Sequence, residues 1–308
     1  MIVLGFDTSN YTTSVASFDG NKWDNQSRLL PVQLGALGLR QSEALFHHVK
    51  SLPELTDRLF FHVDPSQIAA IGVSSRPRAV EGSYMPCFLA GICLAHSIAS
   101  LLHVHVIEVS HQQGHLAAAL YSAGTPELMD MPFLAWHLSG GTTELLYVEP
   151  DGYNLACQRI GGTTDISAGQ LIDRTGQLLG LPFPAGKQLD VLSAMGERRD
   201  IFRVKCAGTE FSLSGVQNKV QQYFESCQDP AETAGYALRC ICGAVRQATQ
   251  CALERYPGIP VVFSGGVASN SMLRREMERF APVFCPPQYA TDNALGAAML
   301  AWRSLERL

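Results

Sequence analysis

No CxxC pair occurs among the nine cysteines, which stand at positions 87, 93, 157, 206, 227, 240, 242, 251 and 285. That spacing excludes a zinc knuckle and a thioredoxin-type motif. Unpaired cysteines in an apolar chain read as small core residues of a reducing cytosol. Charge is also scarce: charged residues make up 17% against 46% hydrophobic, and the net charge is -5. The basic excess of a protein that wraps nucleic acid is missing, and so is the polar bias of a disordered tail. One cluster departs from this, Arg198, Arg199, Arg203 and Lys205. A solvated loop is its plainer reading and a local basic patch the other. A long uninterrupted apolar run is absent too. The most apolar stretch, 86–109, is broken by His96, His103 and His105 and does not read as a membrane span. The start, MIVLGFDTS, carries no basic n-region, so no signal peptide is expected and the protein is expected in the cytoplasm.

What is present is regular alternation. Ile2–Phe6 and Thr13–Phe18 read as a hairpin, Ser42–Phe60 as a helix capped by Ser42, and Ile68–Ser74 as a strand. A buried helix follows at Met85–Leu102, then a strand at His105–Val109 that runs into a helix carrying His111 and His115. The plan then restarts: GFDTSNYTTSVASFDG at 5–20 and AWHLSGGTTELLYVEPDG at 135–152 share the order strand, hydroxyl- and glycine-rich turn, strand, Asp-Gly turn. Strands are expected at Phe133–Leu138, Glu144–Val148 and Val261–Ser264. Helices are expected near 165–179, 214–226 and 230–256, from Ala268 onward, and from Asp292 to Arg303. Helices alternating with strands in two related halves make the chain α/β.

Three groups of residues carry candidate chemistry. Asp7-Thr8-Ser9 and Ser139-Gly140-Gly141-Thr142 are turns whose backbone N–H groups can converge on an anion, although each taken alone is also an ordinary turn. Ser264-Gly265-Gly266 leads from a strand into Asn270, which suits either a sugar or phosphate contact or a helix cap. His111 and His115 stand one helical turn apart on one face, the spacing two metal ligands need, though capping or surface histidines share it. Gln112, Gln113 and Gly114 lie between them, so the general base of a HExxH peptidase is missing. Asp292, in Thr291-Asp292-Asn293 at the expected start of the last helix, is the natural third ligand.

These segments resemble the TsaD family, the bacterial tRNA threonylcarbamoyladenosine transferases formerly called glycoproteases. The resemblance runs through GFDTS at 5–9, HQQGH at 111–115, LSGGTTEL at 138–145 and DISAGQLIDRTGQLLGLPFPAG at 165–186. It continues through FSLSGV at 211–216, SGGVASN at 264–270 and TDNALGAA at 291–298. It implies a two-lobed actin-like ATPase fold of the sugar-kinase and heat-shock type. The expected division is an N-terminal lobe at 1–125, a C-terminal lobe at 126–291, and a last helix at 292–308 packed back onto the first lobe.

The resemblance further implies one divalent metal on His111, His115 and Asp292, iron or zinc with magnesium as the alternative. It implies ATP, AMP or an acyl-adenylate against Leu138, Ser139, Gly140, Gly141, Thr142, Asp173, Gly186, Asp190 and Asn270. The implied reaction passes a threonylcarbamoyl group from an adenylate to adenosine 37 of tRNA, with a shorter TsaB-like homologue and a small ATPase as partners. A homodimer through the N-terminal lobe is the other association, and the apolar stretch 85–102 serves either that interface or the core.

The chain departs from the family at several places. Thr12 replaces an acidic residue, and Arg76-Pro77-Arg78-Ala79-Val80 replaces a GPGL loop. Thr142 replaces the histidine of SGGHT, and Gln217 replaces a lysine, with Lys219 two residues on. The expectation is therefore a divergent paralogue, a transferase or else a nucleotide-binding partner subunit with reduced catalysis. No side chain is assigned as catalytic.

Overall fold

The computed structural model describes residues 1–9, 11–31 and 39–307. Asn10 of the NYTTS segment and Leu308 of the expected last helix lie outside them. The described chain forms two compact units. Residues 1–131, 149–157 and 291–308 make the first, and residues 132–148 and 158–290 the second.

The first unit is built on strands β1 (Ile2–Asp7), β2 (Thr12–Phe18), β3 (Trp23–Leu29), β4 (Ile68–Arg76) and β5 (His105–Ser110), ordered β3-β2-β1-β4-β5. β1 runs antiparallel to β2 and parallel to β4. Its residues are apolar without alternation because both faces of the sheet are covered. Leu4 and Phe6 pack with Leu52, Leu55 and Leu59 of helix α1 (Gln41–Phe60) and with Ala95 of helix α2 (Phe88–Leu102). Val3, one residue out of step, packs with Ala301 of helix α9 (Leu295–Glu306) on the opposite face. Helix α3 (His111–Ser122) follows β5 directly.

Three local expectations shift. The polar strand β3 adds to the expected elements; at the sheet edge its side chains are half-buried to exposed and no alternation develops. α1 starts at Gln41, and Glu43 accepts the Arg40 N–H at 3.2 Å, so Ser42 lies inside the helix rather than capping it. α2 starts only at Phe88, after Pro86.

Helix α1 also buries His48 completely, with its Nδ1 2.9 Å from Thr13 Oγ1 of β2. Burial disfavours the imidazolium and lowers the His48 pKa from 6.5 to about 4. The unfolded chain therefore takes up this proton first, and stability falls as pH drops from about 6.5 towards about 4. In urea titrations over that window, His48→Gln is expected to flatten the slope of stability against pH. An unchanged slope would assign the acid sensitivity to other groups.

The second unit holds β6 (Phe133–Leu138), β7 (Thr143–Asp151), β8 (Asn154–Thr163), β9 (Cys206–Ala207), β10 (Glu210–Phe211), β11 (Val261–Ser264) and β12 (Val283–Phe284), ordered β12-β11-β6-β7-β8-β10-β9. The tip of the β7–β8 hairpin, Glu149–Cys157, belongs to the first unit. β6 is buried throughout, parallel to β11 and antiparallel to β7. Helices α4 (Ala168–Leu178), α5 (Gly186–Ser193), α6 (Ser214–Cys227), α7 (Pro230–Arg255) and α8 (Ser271–Met277) accompany this sheet. Trp136 lies fully buried in its core and donates from Nε1 to Thr249 Oγ1 of α7 at 2.9 Å. The helix expected from Ala268 is a 3-10 turn, Gly266–Ser269, followed by α8, because Asn270 interrupts it as the α8 cap.

Candidate metal centre and substrate floor

The first residue of α3 is set by a reciprocal cap. Ser110 Oγ accepts the Gln113 N–H at 3.2 Å, and Gln113 Oε1 accepts the Ser110 N–H at 2.9 Å. The Ser-x-x-Gln pattern is visible in the sequence, and it places His111 in the first turn with His115 one turn on. Their Nε2 atoms lie 2.9 Å apart. Asp292 Oδ1 stands 3.3 Å from His115 Nε2 and 3.5 Å from His111 Nε2.

Asp292 sits three residues ahead of α9, not at its first turn as expected. Asn293 explains the difference. Its Nδ2 donates to Thr291 O at 2.8 Å and its Oδ1 accepts the Leu295 N–H at 3.1 Å. With the turn satisfied by Asn293, the Asp292 carboxylate is left to face the two histidines.

A glycine contact brings the two helices together. A Cβ built on Gly296 of α9 would lie 1.8 Å from the Gly114 carbonyl oxygen of α3, so the backbones pass where no side chain fits. Asp7, at the end of β1 and 1% exposed, supports the site from behind. Its Oδ2 lies 2.9 Å from His111 Nδ1, and its Oδ1 accepts the Ser9 N–H at 3.0 Å. Thr8 Oγ1 donates to Cys87 O at 3.0 Å and accepts the Gly91 N–H at 3.1 Å. Of the first turn, Asp7 is thus engaged by His111 and Thr8 by the start of α2. The Asp7–His111 pairing spans 104 residues, and no local pattern signals it.

Burial opposes a charge on His111, but the Asp7 and Asp292 carboxylates outweigh it and raise its pKa to about 10. His115 is lowered by burial and by the charge on His111. Burial would raise Asp292, yet the two histidines hold it well below the usual carboxylate range. The Nε2 atoms of both histidines and Asp292 Oδ1 face one point. A cation at that point would meet two imidazole nitrogens and one carboxylate oxygen, all within 4.8 Å of one another. That donor set fits iron or zinc, and Asp7 fixes the His111 ring with its Nε2 inward, as an outer carboxylate does for a ligating histidine.

In the second unit, Leu138 ends β6 and the turn Ser139–Thr142 follows. The Ser139 N–H donates to Thr142 O at 2.9 Å, and the Thr142 N–H to Ser139 Oγ at 3.1 Å. The turn is held by the start of α4: Ser167 Oγ donates to Gly140 O at 2.6 Å, and the Ala168 N–H to Thr143 Oγ1 at 2.8 Å. Gly265, at φ 89°, lies close against Leu138, and a Cβ there would fall 2.2 Å from Leu138 O. Gly140, Gly141 and Gly266 differ: φ is not positive, and an added Cβ meets nothing within 4 Å. The fold does not require glycine at these three positions, and the backbone there is open to approach.

Asp190 of α5 accepts from Asn270 Nδ2 at 2.8 Å, from the Ser271 N–H at 3.0 Å and from Ser271 Oγ at 2.9 Å. Asn270 Oδ1 accepts the Leu273 N–H at 2.9 Å, so the residue is both a helix cap and an Asp190 partner. Asp173 accepts the Ala185 N–H at 2.9 Å, next to Gly186 at the start of α5, and burial raises its pKa. Helix α5, which carries Gly186 and Asp190, had no sequence signal of its own, because its one face of apolar positions is short and follows two prolines.

The family model described as TsaD: tRNA N6-adenosine threonylcarbamoyltransferase matches residues 37–302. A curated protein named tRNA N6-adenosine threonylcarbamoyltransferase from Carboxydothermus hydrogenoformans is 31% identical, over 97% of this chain and 90% of its own length. One of the same name from Streptococcus sanguinis is 29% identical, over 98% of this chain and 91% of its own. Among solved structures, full-length HypF superposes with a TM-score of 0.64 at 15% identity, over 99% of this chain but only 46% of that one. The activator of 2-hydroxyisocaproyl-CoA dehydratase from Clostridium difficile superposes with a TM-score of 0.53 at 15% identity, over 99% of this chain and 96% of that one. These likenesses place the two sheets in the actin-like ATPase fold. Among the described residues, no helix is long and apolar enough to cross a membrane.

Proposed function

The chain belongs to the TsaD family, and on that premise we propose that it is a tRNA-modifying transferase. It passes a threonylcarbamoyl or related carbamoyl group from an adenylate to N6 of adenosine 37. The amino nitrogen attacks the carbamoyl carbon, the bond from that carbon to the phosphate oxygen breaks, AMP leaves, and the nitrogen's proton passes to water. The observation that carries the reading is the convergence of His111, His115 and Asp292 within 4.8 Å, held by Asp7 from behind.

His111, His115 and Asp292 would hold an iron or zinc ion, which would supply Lewis acidity to the site. The rest is the work of the chain. The open turn at Gly140 and Gly141 offers backbone N–H groups to an anion with no side chain in the way. Asp190 accepts three hydrogen bonds, which leaves a carboxylate one acceptor position for a ribose hydroxyl. Asp173 accepts the Ala185 N–H and has capacity for another bond. Where the family has a lysine, Gln217 accepts from Arg174 Nη1 at 2.6 Å, so a cation stays beside the FSLSG segment. The partners of this reading are the adenylate, tRNA, a shorter TsaB-like homologue and a small ATPase, in the cytoplasm. The replaced GPGL loop favours a second reading, a nucleotide-binding subunit with reduced catalysis.

Incubation of the metal-loaded protein with threonylcarbamoyl adenylate and unmodified tRNA, followed by nucleoside mass spectrometry, separates the two. Modified adenosine is the expected product, and its absence alongside intact AMP binding would favour the subunit. Gly141→Val tests the turn: adenylate binding, read by calorimetry, is expected to fall by roughly tenfold or more as the side chain fills the approach. The melting temperature should stay put, since the new Cβ meets no neighbour. A variant that binds adenylate like the parent would remove the turn from the binding surface.

A further inference from the structure

The basic cluster at 198–205 plays no part in the metal centre or in the adenylate floor, and its structure is not that of a loose loop. Residues 196–205 have no regular secondary structure, yet they are pinned along α7 by side chains. The Glu232 carboxylate accepts the Glu197 N–H at 2.8 Å and the Arg198 N–H at 3.1 Å. Arg239 Nε donates to Asp200 O at 2.8 Å, Cys240 Sγ accepts the Phe202 N–H at 3.3 Å, and Val204 is buried. Backbone ordering is therefore paid inside the fold before any partner arrives.

What this strap presents is cationic and partly apolar. Arg198, Arg199, Arg203 and Lys205 are all exposed, on a chain whose net charge is -5. Among the described residues, none of Arg199, Arg203 and Lys205 pairs with a carboxylate. Of the two acids in the strap, Asp200 is held by the Tyr223 hydroxyl at 2.8 Å, and Glu197 stands at its start. Phe202 and Ile201 remain 37% and 43% exposed between the arginines, and Lys219 Nζ of α6 stands 6.0 Å from the Phe202 ring. A solvated loop has no need to hold arginines apart from carboxylates or to leave an aromatic ring among them. Cations interleaved with an exposed ring are the chemistry that meets phosphates and an unpaired base.

We propose that the strap Glu197–Lys205, with Lys219, is a surface of the second unit that binds RNA through its phosphate backbone, with Phe202 against an unstacked base. It rests on the transferase reading only in taking tRNA as the RNA.

The test is fluorescence anisotropy of labelled, unmodified tRNA with the full chain over a series of salt concentrations, alongside the transfer assay. The triple variant Arg199→Gln, Arg203→Gln, Lys205→Gln is expected to bind at least tenfold more weakly, with the salt slope reduced by about 2. The matched variant Arg199→Lys, Arg203→Lys keeps the charge and is expected to keep most of the affinity, which separates charge from misfolding. Equal affinity and slope in the triple variant would overturn the surface and leave the transferase reading standing. Binding of polyglutamate in preference to tRNA would overturn it in favour of an acidic protein partner. Charge-dependent tRNA binding without transfer by the parent would keep the surface and sink the transferase reading.

Discussion

His115→Ala is expected to weaken metal retention by roughly a few hundredfold. Structural zinc sites bind with about 10 kcal/mol or more, so the loss of one of three protein ligands removes roughly 3–4 kcal/mol, and each 1.4 kcal/mol is tenfold. Asp292→Ala should behave alike, because its Oδ1 stands 3.3 Å from His115 Nε2 and shares the same focus. Asp7→Asn should cost less, about 10- to 100-fold, since the side chain still accepts a hydrogen bond but no longer brings a charge to His111. Titration of each loaded variant with a competing chelator gives the ranking. If His115→Ala holds metal as tightly as the parent, the three residues are not a metal site. If Asp7→Asn proves as damaging as His115→Ala, Asp7 is a ligand rather than a support.

Gly296→Ala is expected to be the most damaging small substitution in the first unit. The new Cβ would lie 1.8 Å from the Gly114 carbonyl oxygen and 2.5 Å from its carbon, and backbone atoms cannot turn aside as a rotamer can. Overpacking of this kind costs about 3 kcal/mol at the upper end of its range. The melting temperature should drop by roughly 6 °C or more, taking about 2 °C per kcal/mol or more for a chain of this size. Metal affinity should fall with it, because the displaced helix carries Asp292 away from the histidines. Gly114→Ala makes a sharp comparison. Its Cβ finds nothing closer than 3.8 Å, so it is expected to be tolerated within about 1 kcal/mol, with helix propensity in its favour. Thermal melts of the two variants with metal removed decide the matter, and equal losses would disprove the asymmetry.

That asymmetry shows how far sequence reasoning reaches here. Gly114 stands between the two histidines and draws attention in the HQQGH motif, whereas Gly296 is one small residue among many in TDNALGAA. Only the close passage of α3 and α9 makes the second one critical. Likewise β3 and α5 carry no strong period, because one lies at a sheet edge and the other is a short helix after two prolines. The fold class and the family were legible because ordered motifs run along nearly the whole chain.

By itself the sequence determined what depends on neighbours a few residues away. The 3.6-residue period put His111 and His115 on one face, and Ser110 with Gln113 set where that face begins. It also named Asp292 as the candidate third ligand, though for a helix start that lies at Leu295 instead. The tertiary structure alone decided the distances that make these residues one site. His115 and Asp292 are 177 residues apart, and His111 and Asp7 104. Local periodicity fades within a few turns. Contacts at such separations are set by the packing of a sheet between helices and by Gly296, which lets those helices touch.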